Sequence, residues 1–141
     1  MMKRVFRTEV RVQYADTDAM GVVHHANYIR WFEVGRTELM RELGFPYAEL
    51  ERIPVWIPIA QVSCDYKKPA RYDDVVEVAS VIADLGHASV CMSYEITNKA
   101  TGEILATGFS RHGVTNDKLK PVALVKVCPG LYEALKESAA E

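Results

Sequence analysis

The densest run of chemically capable side chains lies between Tyr14 and Tyr28. It reads Tyr14-Ala15-Asp16-Thr17-Asp18-Ala19-Met20-Gly21-Val22-Val23-His24-His25-Ala26-Asn27-Tyr28. Acids and imidazoles this close suit metal ligation, and calcium is the first case to test. Asp16-x-Asp18-x-x-Gly21 has the spacing with which a calcium loop opens. The later ligand positions fall on Met20 and Asn27, where oxygen donors including a bidentate glutamate are required. An apolar side chain and a neutral amide do not supply them. Zinc fares no better, because His24 and His25 are adjacent and helical zinc pairs stand at i and i+4. A structural reading is also open. Asp16 and Asp18 would satisfy backbone groups in a turn, and His25 or Asn27 would cap a helix. That is the expectation for Asp16, Thr17 and Tyr14.

The elements around this run are legible. Val10, Val12 and Tyr14 alternate with Glu9, Arg11 and Gln13, which predicts a half-exposed strand over 9–14. Asp16 to Gly21 is a loop. From Tyr28 to Leu43 the period changes to three and four, through Ile29, Phe32, Arg36, Leu39 and Leu43, which predicts a long helix. Asn27 is its candidate N-cap, with a start one turn earlier as the alternative, while Gly44 and Pro46 stop it. Gly35 in its interior is expected where the helix approaches a sheet closely, and Glu33 and Arg36 are spaced to pair. Strands are predicted over Ile59–Tyr66, Val75–Ile82, Val90–Ile96 and Glu103–Val114, with a turn at Asn98–Gly102. Pro129–Lys136 reads as a short helix. The sum is an α+β layout of one long helix and about five antiparallel strands. A helix of that length spans about 24 Å and covers only one face of such a sheet, so a second subunit is expected.

Composition bounds the rest. The chain has 141 residues, 49% hydrophobic and 26% charged, which predicts one domain over 1–141 with an ordinary core. Its formal net charge of -2 excludes a broad basic surface for nucleic acid. Cys64, Cys91 and Cys128 are odd in number and widely spaced, so neither a disulfide framework nor a zinc ribbon is expected, and a reducing cytoplasm is the simplest location. No apolar run suggests a membrane span, and the basic start at Met1 lacks a signal-peptide core.

The stretch Tyr14-x-Asp16-x-Asp18-x-x-Gly21-Val22-Val23-x-His25-x-Asn27-Tyr28, continued by Trp31-Phe32-Glu33 and Arg36, resembles the signature of the 4-hydroxybenzoyl-CoA thioesterase family. It is most similar to the acyl-CoA thioesterases of the YbgC and FadM type, over roughly residues 4–125. Tyr66-x-x-Pro69-Ala70-x-x-x-Asp73 agrees. One departure is His24, where many members carry tyrosine, which implies a change in substrate choice. The resemblance implies the hotdog fold, a long helix wrapped by a curved antiparallel sheet. It implies a homodimer or homotetramer with active sites at the subunit interface. It implies hydrolysis of an acyl-CoA, or of an acyl-carrier-protein thioester, with no cofactor and no metal.

It also places the catalytic carboxylate at Asp18, with His25 beside it. Asp18 would act as general base on water or as a nucleophile forming an anhydride, and both routes stay open. The backbone N–H of His25 at the helix start would face the oxyanion. His25 would also contact the carbonyl or position water, or serve only as a cap. Tyr14, Gly21, Val22, His24, Asn27 and Tyr28 are the candidate substrate-binding residues, with Asn27 more structural than catalytic. Arg71 joins Lys67, Lys68, Arg111, Lys118 and Lys120 as candidate contacts for CoA phosphates. A dehydratase is disfavoured because the acid precedes the helix, and a non-catalytic acyl-thioester-binding protein remains an alternative.

Overall fold

A computed structural model describes residues 3–139. Strand β1 (Phe6–Arg11) leads through a 3-10 turn at Tyr14–Asp16 to helix α1 (Ala26–Glu42) and a short helix α2 (Tyr47–Leu50). Strands β2 (Ile59–Tyr66), β3 (Val75–Leu85), β4 (Ser89–Asn98) and β5 (Ile104–Gly113) follow, then α3 (Leu124–Val127) and α4 (Pro129–Ser138). The strands form one antiparallel five-stranded sheet in the order β1-β3-β4-β5-β2. This is the expected α+β arrangement, with β1 and β2 at the edges.

Helix α1 lies across one face of the sheet. It buries Tyr28, Trp31, Phe32, Gly35, Arg36, Leu39 and Met40, a stripe at helical spacing. Ile29 and Leu43, placed on that stripe from the sequence, sit at its margin and are only partly buried. The helix approaches so closely that side chains are excluded at two contacts. A Cβ on Gly35 would stand 2.7 Å from both Ser80 Oγ and Val78 Cγ1. A Cβ on Gly108 in β5 would stand 2.2 Å from the Ser63 carbonyl oxygen and 2.7 Å from the Phe32 ring. The helix ends as the sequence predicts. Gly44 takes a φ of 88°, its N–H bonds Arg41 O at 3.0 Å, and the Phe45 N–H bonds Met40 O at 3.0 Å.

Three expectations are corrected here. The first strand is 6–11 rather than 9–14. Val12 still bonds the Asp74 carbonyl at 2.8 Å, but the chain then leaves the sheet. The cause is Asp16, which is only 5% exposed. Its carboxylate accepts the Gln13 N–H at 2.8 Å and Arg30 Nη2 at 2.8 Å, so residues 13–16 close into a 3-10 turn. Helix α1 begins at Ala26, so Asn27 is its second residue and not its cap. Arg36 does not pair with Glu33 at bonding distance among the described residues. It turns into the core and donates to the Tyr94 hydroxyl at 3.3 Å.

That contact opens a buried polar chain. The Tyr94 hydroxyl meets Ser110 Oγ at 2.5 Å, Ser110 Oγ meets His112 Nε2 at 2.7 Å, and His112 Nδ1 meets the Ile57 carbonyl at 3.3 Å. His112 is 1% exposed. Burial first, and then the Arg36 guanidinium, push its pKa down to about 4. The neutral ring therefore carries its proton on Nδ1, toward Ile57, and accepts from Ser110 at Nε2.

Two expected outcomes follow from these buried groups. The unfolded chain protonates His112 near pH 6.5, the folded chain only near pH 4. Stability from this residue is full above pH 6.5 and is lost as pH falls through that window, by up to roughly 3 kcal/mol. Urea midpoints measured from pH 7.5 to 4.5 should fall more steeply for the native chain than for His112→Gln; parallel profiles would remove His112 as the cause. Asp16→Ala leaves the Gln13 N–H and the Arg30 guanidinium without their acceptor. It should lower the unfolding free energy by about 1–3 kcal/mol in the same assay.

Candidate active site

The site is assembled where the Thr17–His25 loop meets the start of α1. A bridge between Thr17 and Val23 closes the loop into a narrow turn. Asp18 N–H bonds Val22 O at 2.9 Å, and Gly21 N–H bonds Asp18 O at 3.0 Å with Gly21 at a φ of 79°. One carboxylate oxygen of Asp18 accepts the Met20 N–H at 2.9 Å. The turn thus fixes the Asp18 side chain at half exposure and leaves its second oxygen available.

The loop is anchored at both ends. Its far end docks on residues 69–71, with Val23 N–H on Ala70 O at 2.9 Å. Ala70 N–H in turn donates to the Tyr28 hydroxyl at 2.9 Å. Burial raises the Tyr28 pKa, so this phenol stays neutral. At the near end the Asp16 carbonyl accepts two donors, the His24 N–H at 2.9 Å and the Asn27 side-chain amide at 2.8 Å.

Asp18, Val22, His25 and Tyr28 share one cleft of about 280 Å³ with Tyr66, Lys67, Lys68 and Pro69 from the end of β2 and the segment after it. The Tyr66 hydroxyl donates to the His25 carbonyl at 2.9 Å. Its ring stands edge-on to Tyr28 at 5.1 Å. Burial and the adjacent Cys64 thiol push the Tyr66 pKa up to about 12, so it too is a neutral donor. Burial raises the Cys64 thiol as well, which argues against a thiolate nucleophile there.

The first turn of α1 disposes of its N–H groups unevenly. Asn27 N–H bonds His24 O at 3.0 Å and Tyr28 N–H bonds His25 O at 3.3 Å. Ala26 N–H bonds His24 Nδ1 at 3.1 Å. Among the described residues, the His25 N–H has no acceptor in the chain. A cleft with a carboxylate and a free helix-start N–H has the parts for attack on a carbonyl: a base or nucleophile, and a donor for developing negative charge.

Other residues named from the sequence fall outside this cleft. Tyr14 is largely exposed and packs edge-on against Tyr72 at 5.8 Å. Gly21 shapes the turn, and Asn27 braces Asp16. The His24 ring lies along the helix start, stacked on His25 at 4.2 Å. Arg71 is exposed and donates its N–H to the Asp74 carboxylate at 2.9 Å. Lys68, by contrast, lines the cleft and pairs there with Glu103 at 2.6 Å. Tyr66 stands in the sequence motif with no role that its spacing alone reveals. Its signal was the Tyr66-x-x-Pro69 stretch, and both residues line the cleft.

Comparison with known proteins agrees with this fold. The family described as "Thioesterase-like superfamily" matches residues 12–135. YneP of Bacillus subtilis (strain 168) is 37% identical over 135 residues, covering 95% of this chain and 97% of its own. The Escherichia coli O6:H1 protein named "Acyl-CoA thioester hydrolase YbgC" is 34% identical over 126 residues, covering 89% and 94%. A solved DHNA-CoA thioesterase from Staphylococcus aureus superposes with a TM-score of 0.90 at 34% identity, covering 94% of this chain and 89% of that one. No helix among the described residues is long and apolar enough to cross a membrane. The chain belongs to the thioesterase-like superfamily and is a thioester hydrolase built on the hotdog fold.

Proposed function

We propose that the protein hydrolyses acyl-CoA thioesters to a carboxylic acid and free CoA, with Asp18 as the catalytic carboxylate and the His25 N–H as an oxyanion donor. The observation that carries this reading is their meeting in one cleft. The name of the YbgC relative supports the substrate class. The thioester carbonyl carbon sits near Asp18 and its oxygen toward the helix start. Attack at that carbon breaks the carbon–sulfur bond, and the thiolate of CoA leaves and takes up a proton. Asp18 either removes a proton from the attacking water or attacks directly, forming an anhydride that water then cleaves. Val22, Tyr28 and Pro69 give the acyl group apolar contact, and Lys67 stands at the cleft for the anionic end of CoA.

A second subunit completes the site in this reading. Strand β2 is an unpaired edge, and its Ile59, Val62 and Tyr66 remain 47%, 39% and 48% exposed. An unpaired apolar edge is a template for pairing with another chain. Antiparallel pairing of two β2 strands about a two-fold axis sets the start of one beside the end of the other. Ile59 and Trp56 of one copy then flank Tyr66 and the cleft of its mate. Dimers pairing again into tetramers would leave this edge contact intact.

A thiol-release assay over short, long and aromatic acyl-CoAs, and over acyl-carrier-protein thioesters, tests the activity. Asp18→Ala should lower kcat by about 10²-fold or more. Near-normal turnover by a folded Asp18→Ala variant removes Asp18 from the reaction. Single turnover in heavy-oxygen water separates the two routes, since label in the Asp18 side chain requires the anhydride. Val62→Lys sets like charges against each other across the two-fold axis. It should lower the mass seen in sedimentation and the turnover together; a native chain that sediments as a fully active monomer would refute the shared site.

A further inference from the structure

The peptide group between His25 and Ala26 is held at both ends by side chains. Its N–H donates to His24 Nδ1 at 3.1 Å. Its carbonyl accepts the Tyr66 hydroxyl at 2.9 Å. One clamp comes from the loop and the other from edge strand β2, 41 residues away in sequence. We infer that His24 and Tyr66 are a pair of positioning residues, which together fix this peptide plane and thereby aim the preceding N–H, that of His25, into the cleft.

The geometry requires each to act through the backbone. The aim of the His25 N–H depends on the plane of peptide 24–25, and that plane has its own anchors. Its carbonyl, His24 O, accepts Asn27 N–H at 3.0 Å, and in the peptide before it His24 N–H bonds Asp16 O at 2.9 Å. The next plane is joined to it only through His25, whose φ of -55° and ψ of -33° are already helical. Residue 25 stands outside the helix, however, and helix ends fray. As the N-cap, His25 already gives its carbonyl to the first helical turn, and the Tyr66 hydroxyl is a further donor to it, whereas without His24 the Ala26 N–H would have no protein acceptor. His24 removes the freedom of that N–H, and Tyr66 adds a side-chain hold on the carbonyl.

Both side chains are themselves held. The His24 ring stacks on the His25 ring at 4.2 Å with 27° between planes. Accepting at Nδ1, the ring leaves Nε2 as its donor nitrogen. The Tyr66 ring is edge-on to Tyr28 at 5.1 Å and to His25 at 6.3 Å. The inference gives His24 a role other than contact with substrate. It also links the edge strand to the reacting centre, because Tyr66 belongs to β2 and its hydroxyl bonds the helix start. A preorganised donor needs no reorientation as charge develops, whereas a misplacement of about 1 Å costs up to about 10²-fold.

This inference rests on the thioesterase reading, and one experiment separates the two. Thiol release is measured for the native chain, His24→Ala, His24→Asn, Tyr66→Phe and the double variant His24→Ala with Tyr66→Phe. The clamp predicts kcat lowered about tenfold by His24→Ala and by Tyr66→Phe, with KM within about twofold, because the donor acts on charge present only in the transition state. His24→Asn should recover most of the loss, since a short side-chain oxygen also accepts an N–H at a helix start. The double variant should lose less than the product of the single losses, because both act on one peptide. Amide exchange gives a readout free of turnover. Ala26 should exchange faster in His24→Ala and return toward native rates in His24→Asn. Unchanged kcat in both single variants, or an unchanged Ala26 rate in His24→Ala, overturns the clamp while the native chain's turnover upholds the thioesterase reading. Absence of thiol release from the native chain overturns both.

Discussion

The seating of α1 on the sheet is the constraint from which the rest follows. The helix can lie this low only because Gly35 and Gly108 present no side chain where a Cβ would fall inside Val78, Ser80, Phe32 and the Ser63 carbonyl. Trp31 and Phe32 are then fully buried, and Phe32 stacks on Tyr94 at 4.5 Å. Close packing of this kind leaves no slack along the helix axis. The far end is closed by Gly44 and Phe45 on the last carbonyls. The near end is consequently delivered to one place beside the Thr17–His25 loop. The cleft at the helix start depends on that delivery.

The same low seating forces a polar group into the interior. Arg36 lies on the buried stripe, and a guanidinium there costs free energy unless it is hydrogen-bonded. The protein answers with hydroxyls and an imidazole rather than a carboxylate: Tyr94, Ser110 and His112 relay the bond outward to Ile57 O. The chain crosses from α1 through β4 and β5 to the segment before β2. It ties the helix to the region beside the exposed edge without placing a net negative charge in the core.

What was legible in the sequence was whatever local periodicity controls. The helix, its glycine stop, the close approach at Gly35 and four of the strands could be read because spacing along one element decides them. The errors share a different origin. Val10, Val12 and Tyr14 alternate well enough for one strand, yet Asp16 reaches back to Gln13 and ends it early. Glu33 and Arg36 have the spacing of a pair, but Arg36 lies on the face that meets Tyr94, 58 residues away. Asn27 has the chemistry of a cap, and the Asp16 carbonyl claims it instead. The cleft was half visible. Asp18, Val22, His25 and Tyr28 are contiguous in the chain, whereas Tyr66 joins them only through sheet topology, which no local pattern encodes.

The strand order has a consequence for synthesis. Only β3, β4 and β5 are neighbours both in sequence and in the sheet. β1 waits for β3, and β2 waits for β5, whose register runs from Ile59 against His112 to Tyr66 against Ala106. Helix α1, with Trp31 and Phe32 on its face, leaves the ribosome after β1 but before the four other strands of the sheet it lies on. A nascent chain therefore carries its most apolar stripe and one unmatched strand until the last strand has been made. Contacts so distant in sequence close late and slowly. For this small fold, the hazardous interval is during translation, when strand β2 is already present and the strand it pairs with is not.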